Sequence, residues 1–568
     1  MDETDGRENW VYPNSLRALP LDQGNVFPSD APHAISSSLP TWESVVGLST
    51  EDKTIFERID YGYPRFFIGK PIRSLIIRVK QRLKVNSNDL VCFIFPSPDD
   101  ANDYAVMLRE KSAEVHHVRF SSPGPVSSEN GDDQLSFSAL LLPSNLKEHA
   151  MSFWVNFGTG ITTRHAEYCL KHFDELISKS PVDEFKTVAT AIPSRDPSSE
   201  AWIQRGPRDL EDLKAHIARL ATSERSGLKC VEAGDVFVFP NGMNAIYNAA
   251  EAIAVNNPKS GVVAYGWIYP ETINNLRGGS WENFIDFKMG SEEDLDHLES
   301  MLKPNDKQII AVFCELPSNI KFTSPNLQRI RELADEYDLI IICDETVGNF
   351  VNVDLLPYVD IITTSLTKMF SGAANVTGGS VIVNPNSRHY SEIHSSLSWR
   401  CQVVSCFPKD IAVLKQNSVN MVERVKKANA NTLIVVDLFE KHPLVAKVNY
   451  PSRGATFQNY ERHRRQNGGY GNVLSVVFHK PESAQLFYDK LDVCKGSSFG
   501  TNFTLVIPFV QLAAYQLQEK LEKYELPKHI LRINVGLEDP NEICAKMSEA
   551  LVAVEEFEQM PRSVGLGA

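Results

Sequence analysis

In the stretch 360-DIITTSLTKMFSGAANVTGGSVIV-383 a single lysine, Lys368, closes an apolar, β-branched run. An ammonium buried at a strand end is costly. Desolvation lowers its pKa and leaves a nucleophilic amine at neutral pH, which is the requirement for a Schiff-base lysine. Ser365 and Thr367 put two hydroxyls beside it, suited to a phosphate. Upstream, the apolar run of 339-LIIICDETVGNF-350 ends in Asp344. The C-terminal ends of buried parallel strands are where α/β folds place functional groups. An aspartate there can pair with a pyridinium nitrogen and keep pyridoxal phosphate (PLP) an effective electron sink. A surface lysine at a strand end and a capping aspartate are each ordinary. Both on one strand–loop–strand unit are much less so.

Several elements must hold this pair. In 234-GDVFVFPNGMNAIYNAAEAIA-254 a strand, a turn and a helix follow one another. The turn Asn241-Gly242-Met243 leaves N–H groups free at a helix N-terminus, a ready site for a phosphate. Ile309–Cys314 reads as another buried strand, with Glu315, Ser318 and Asn319 beyond its C-terminal end. The stretch 286–303 reads as an acidic amphipathic helix without chemistry, and Asn417–Lys441 as a long amphipathic segment opening a C-terminal domain. Nearer the start, Leu90–Phe95 and Ser138–Leu142 read as strands, and Asp99–Lys111 and Thr163–Lys179 as helices. Tyr61, Tyr63, Arg65 and Phe66 are expected to pack against the main domain.

At 568 residues there is room for several domains and a large core. A net charge of −15 argues against a nucleic-acid partner. The cluster Arg462-His463-Arg464-Arg465 reads as a solvated loop. Nine cysteines are scattered without metal-ligand spacing, several of them in apolar strands, which suits buried thiols in a reducing compartment. No apolar run approaches a membrane span, and the start has neither a signal core nor an Arg-rich presequence, so the expected location is the cytoplasm.

Six segments in order, 236-VFVFPNGMNAIYNA-249, 312-VFCELPSNI-320, 343-CDETVGNF-350, 365-SLTKMFSG-372, 500-GTNFTL-505 and 531-LRINVGLED-539, resemble the Cys/Met-metabolism family of PLP enzymes. Within it, 32-PHAISSSLPTW-42 and 61-YGYPRFFI-68 are similar to fungal cystathionine γ-synthases, and the resemblance runs from about Pro32 to Glu555. It implies PLP fold type I, an α/β class like aspartate aminotransferase. The expected parts are a tail over 1–30, an appended N-terminal α/β region over 31–185, a PLP-binding large domain with a mainly parallel sheet over 186–395, and a smaller α+β substrate domain over 396–568.

The resemblance also assigns roles. Tyr265 is to stack on the PLP ring, and Asn319 is to contact its phenolic oxygen. Arg208, in a segment where relatives carry an aromatic that is missing here, is to reach a partner subunit's PLP phosphate in a homodimer or homotetramer. Arg532 is to bind the substrate α-carboxylate, with Ser498 as a weaker candidate beside it. An unpaired arginine on a core-like strand would otherwise be costly, and a guanidinium binds carboxylate bidentately. The implied reaction is γ-substitution on an O-acyl-L-homoserine through a vinylglycine-type intermediate. Arg400 stands where relatives carry acidic residues, and is expected to favour an anionic carbon nucleophile such as a β-keto acid over cysteine. Cysteine addition, β- or γ-elimination, and an inactive PLP-fold binding subunit remain open alternatives.

Overall fold

The computed structural model describes residues 33–85, 89–109, 115–122, 135–179, 201–304, 308–403 and 406–559. The expected tail over 1–30 and the boundary at 185/186 lie outside them. Three sheets organise the chain. The central one has seven strands, in spatial order Val236–Phe239, Gly379–Val383, Ile361–Ser365, Ile340–Asp344, Ile309–Glu315, Gly261–Tyr265 and Asn283–Phe287. Its middle is parallel and only Gly379–Val383 runs against its neighbours. These strands are almost unbroken Val, Ile, Phe and Ala, because helices cover both faces.

Register sets the site. Glu315 and Asp344 pair across neighbouring strands, and Asp344 also pairs with Thr363 on the strand that ends at Ser365. Two carboxylates and the loop leading to Lys368 therefore emerge together at the C-terminal edge of the parallel sheet.

The five-stranded sheet, ordered Val445–Asn449, Val473–Phe478, Leu531–Asn534, Leu505–Pro508 and Cys494–Lys495, carries Arg532 on its central strand. The four-stranded antiparallel sheet, ordered Leu90–Phe95, Phe137–Pro143, His116–Ser121 and Ile177–Lys179, has its own aromatic core, in which Phe120 and Phe137 stack at 4.7 Å.

Several expectations are corrected. The helix from Thr163 stops at Lys171, and Ile177–Lys179 is a strand paired with His116–Ser121. The stretch 286–303 begins as the end of strand Asn283–Phe287. Gly290 then turns with φ 61°, and Ser291 opens the helix Glu292–Leu302 through a capping box with Asp294. Asn417–Lys441 divides between the helices Pro408–Ser418 and Met421–Glu440. The boundary at 395/396 falls inside helix Tyr390–Val403. The N-terminal region is not one unit either. Leu39, Val45, Ile55 and Ile59 share the apolar core of the five-stranded sheet, whereas Ile72 onward builds the separate four-stranded body. In the Arg462–Arg465 cluster, Arg465 is buried and donates to the carbonyls of Val353, Thr222 and Leu220, so it staples three segments together.

Candidate active site

A cavity of about 360 Å³ opens between the large sheet, the five-stranded sheet and the N-terminal loop 60–69. Lys368 stands in it, 8% exposed, and its Nζ donates to Ser498 Oγ at 2.9 Å and to Tyr63 Oη at 3.2 Å. The same Nζ lies 4.4 Å from the Tyr63 ring centre and 4.8 Å from that of Phe499. Burial lowers its pKa, and the Arg532 and Arg65 charges push in the same direction, while Tyr63 opposes them. The backbone makes room for this lysine through Gly500, whose φ is 70° and where a Cβ would sit 2.7 Å from Lys368 Cβ and 2.5 Å from Met369 N. Asn534 shapes that loop, its Oδ1 accepting from the N–H groups of Gly500 and Thr501 and its Nδ2 donating to the carbonyls of Thr501 and Phe503. On the far side, Arg424 donates to the carbonyls of Met369 and Phe370.

Asp344 lines the cavity, and burial raises its pKa although the Thr346 N–H donates to it at 2.7 Å. Glu315 is raised as well, by burial first and then by the Asp344 charge. Its two oxygens accept from the N–H groups of Tyr269 and Asn319 at 2.7 and 3.1 Å, so this acid fixes the backbone on either side of it. Asn319 in turn accepts from Arg532 Nη1 at 3.1 Å, while Arg532 Nη2 donates to the Ser498 carbonyl at 3.0 Å. The Arg532 guanidinium lies between the Phe499 and Phe509 rings, at 4.8 and 4.9 Å. With no carboxylate within 4 Å among the described residues, burial pushes it down to about 10.

The residues fit PLP. Gly242 and Met243 start the helix Gly242–Ala254 at the cavity wall, beside Ser365. A Cβ at Gly242 would stand 2.8 Å from Ser365 Cβ, so glycine is what lets the helix N-terminus and that hydroxyl close on one small anion. Asp344, partly buried in the cavity that holds Lys368 and with no ion-paired cation among the described residues, suits a protonated ring nitrogen.

Other site candidates stand elsewhere. Asn241 caps the same helix, accepting from Asn244 N and donating to the Gly158 carbonyl, and does not line the cavity. The Thr367 hydroxyl is used within its loop, bonding Gly378 N and O at 3.1 and 3.2 Å. Tyr265 is buried with its hydroxyl on the Ser291 carbonyl, facing away from Lys368; four residues on, Tyr269 enters the cavity instead. Arg208 lies exposed on helix Ala201–Ala221, outside this chain's cavity. The expectation that Arg400 faces a second substrate is corrected too. Its Nε donates to Asn248 Oδ1 at 2.9 Å and its guanidinium covers the Tyr247 ring, so it joins two helices outside the cavity.

Two residues that sequence reasoning assigned to packing enter the site. Tyr63 meets Lys368. Arg65, buried, donates to the Val155 carbonyl at 2.6 Å and to Tyr269 Oη at 2.8 Å, with its guanidinium against the rings of Tyr63 and Phe66. The only sequence signal was the density of aromatic and basic residues in 61–67.

Comparison with known proteins agrees with this geometry. The fold and the site's lysine, aspartate and anion cradle define a PLP enzyme of fold type I. Residues 224–552 match the Cys/Met metabolism PLP-dependent enzyme family, and residues 71–162 match the fungal trans-sulfuration enzyme N-terminal domain. The chain belongs to that PLP-dependent family. It is 41% identical over 538 residues to the cystathionine gamma-synthase-like protein ankD of Aspergillus thermomutatus, with 94% of each chain covered. It is 31% identical to the cystathionine gamma-synthase of Neurospora crassa, covering 95% of this chain and all of that one. Among solved structures, a cystathionine gamma synthase from Xanthomonas oryzae pv. oryzae in complex with aminoacrylate and cysteine shares the fold. Its TM-score is 0.53 at 19% identity, over 62% of this chain and 88% of that one. The chain is thus a cystathionine γ-synthase-like PLP-dependent enzyme. No helix among the described residues is long and apolar enough to cross a membrane.

Proposed function

We propose that the enzyme catalyses γ-substitution on an O-acyl-L-homoserine, with O-acetyl-L-homoserine as the donor, and joins its four-carbon amino-acid unit to a carbon acid such as a β-keto acid. The observation that carries this reading is the pair of buried guanidiniums, Arg532 and Arg65, in the cavity of Lys368, neither with a carboxylate within 4 Å among the described residues. Two buried cations with no ion-paired carboxylate can receive two anionic groups. Arg532 takes the donor's α-carboxylate and Arg65 takes the carboxylate of the acceptor.

Bound PLP supplies the electron sink for proton removal at Cα and Cβ. Asp344 would pair with its ring N–H, and the Gly242–Met243 turn with Ser365 would take its phosphate. Arg532 turns the donor's Cα toward Lys368, whose amine carries protons between the carbons. Leu48, Phe56, Phe66 and Leu512 wall the outer cavity, excluding water from Cγ and admitting an acceptor with an apolar body. A second reading, with cysteine as acceptor, is favoured by Glu271. It lies buried near Arg65, and its Oε2 has no hydrogen-bond partner among the described residues, so it could meet an α-ammonium. Burial raises the Glu271 pKa toward its neutral form, which weakens that match.

Product analysis decides between them. O-acetyl- and O-succinyl-L-homoserine are offered with cysteine, other thiols and acetoacetate. The adduct of acetoacetate with the four-carbon unit is expected to exceed cystathionine. Cystathionine as the main product selects the second reading, and keto acid with ammonia, independent of any acceptor, overturns substitution in favour of elimination.

A further inference from the structure

The loop between helices Lys53–Phe56 and Lys70–Arg82 is built to present one side chain. Pro64 follows Tyr63 and keeps it out of the helical region. The Tyr63 carbonyl accepts from the N–H groups of both Phe66 and Phe67 at 2.9 Å, closing the loop on itself. Phe67 is buried against Gly62, where a Cβ would stand 3.0 Å from Phe67 Cβ. Arg65 ties the loop to the helix Lys147–Phe157 through the Val155 carbonyl and to the large domain through Tyr269. Ser37 holds the Tyr61 carbonyl from the other side. So many anchors for a thirteen-residue connection leave Tyr63 little freedom, and its hydroxyl ends 3.2 Å from Lys368 Nζ.

We propose that Tyr63 is a catalytic residue, the phenol that exchanges a proton directly with the Lys368 amine, so that the N-terminal region supplies an acid–base group to the cavity of its own chain. The proposal rests on Lys368 being the reacting amine. When Lys368 has taken a proton from substrate carbon, an N–H bond breaks and the Tyr63 O–H bond forms, converting an ammonium–phenolate pair into an amine–phenol pair. No electrons are gained or lost, and the reverse transfer recharges the amine. Burial alone would raise the Tyr63 pKa, but the Lys368 and Arg65 charges and hydrogen bonds outweigh it and lower the phenol. The other charged or titratable groups nearby are Arg532, Tyr269, Asp344 and the buried carboxyls of Glu271 and Glu315. Ser498, the remaining hydrogen-bond partner of Nζ, is an alcohol that cannot carry this charge near neutral pH.

The test reads Lys368 itself. The full chain freed of PLP is labelled with trace acetic anhydride across pH 6–11, and acetylation of Lys368 is followed by mass spectrometry. Tyr63→Phe keeps the ring and removes the oxygen. Losing a phenolate that stabilises the ammonium is expected to move the Lys368 midpoint down by about one pH unit, a tenfold rise in free amine below it. A fluorotyrosine at position 63, being more acidic, is expected to move the midpoint the other way. With PLP restored, Tyr63→Phe should slow exchange of the α-proton of L-2-aminobutyrate in D2O at least tenfold while PLP binding is unchanged. That amino acid has no leaving group, so the result stands whether or not γ-substitution is the true reaction. An unchanged Lys368 midpoint in Tyr63→Phe overturns the proposal. Should that variant fail to fold, an unchanged midpoint with fluorotyrosine overturns it equally.

Discussion

Arg532→Lys separates a carboxylate receptor from a merely structural arginine. Arg532 is 6% exposed, and burial pushes its guanidinium down from the ordinary arginine range to about 10. That displacement corresponds to about 3 kcal/mol by which the ligand-free pocket disfavours the charge. A lysine starts from about 10.4. The same burial would bring it to roughly 8, inside the working range, whereas the native arginine stays charged throughout. The sign follows: the variant holds the donor's carboxylate below that pH and loses it above, as the ammonium deprotonates. The fork is also gone, and replacing a bidentate charge-assisted contact by a point charge costs about 1.5–3 kcal/mol, or roughly ten- to a hundredfold in donor kcat/KM even at pH 7. The assay is kcat/KM for O-acetyl-L-homoserine from pH 6.5 to 9.5, as the ratio of variant to wild type, in which titration of the donor's own ammonium cancels. The ratio should fall about tenfold per unit above pH 8. A ratio flat with pH, with the loss confined to kcat, would refute the assignment of the α-carboxylate to Arg532.

Three further outcomes follow from the same geometry. Borohydride reduction of the yellow holoenzyme should fix the cofactor on the peptide carrying Lys368; fixation on any other lysine removes that residue from its role. Gly500→Ala forces a Cβ into a left-handed turn at 2.7 Å from Lys368 Cβ, costing at least about 1–2 kcal/mol from the backbone alone, so Tm should fall and activity should fall further; an unchanged Tm would mean the loop is free to move. Arg208, exposed on its helix, is expected to serve a partner subunit's phosphate. Mixing inactive Arg208→Ala and Lys368→Ala chains should then restore activity in the hybrid, and no recovery, or an active monomer in solution, contradicts it.

What the sequence made legible follows from the cost of burying charge. Lys368, Asp344 and Arg532 each sit in or at the end of apolar, β-branched runs, where a charge without a task is expensive. The structure brings all three to one cavity. The directions of neighbouring side chains were not legible. Tyr265 ends a strand, and whether it or Tyr269 meets the cavity depends on the turn at Gly266, with φ 90°, which no local pattern reports. Thr367 looked like a phosphate ligand because threonine is polar, yet its loop uses the hydroxyl on Gly378. Arg400 has the charge for an acceptor, but its helix turns it to Asn248 and Tyr247. Tyr63 and Arg65 were missed because a loop has no periodicity from which burial can be read.

The N-terminal region follows a physical logic that its description as an appendage hides. Its first residues complete the core of the five-stranded sheet: Trp42 N–H donates to Asp489, and Tyr488 donates to the Leu39 carbonyl. Its four-stranded body ends a helix at Gly158, in a left-handed conformation where a Cβ would stand 2.2 Å from Asn241 Oδ1. That contact lets Asn241 Nδ2 reach the Gly158 carbonyl at 2.7 Å while its Oδ1 caps the helix whose first turn lines the cavity. Between the two, the loop carrying Tyr63 and Arg65 crosses the cavity mouth. One end of the region is fastened to the five-stranded sheet and the other to the helix Gly242–Ala254, so the loop between them is positioned by both domains at once. A shift of either domain would move Tyr63 against Lys368.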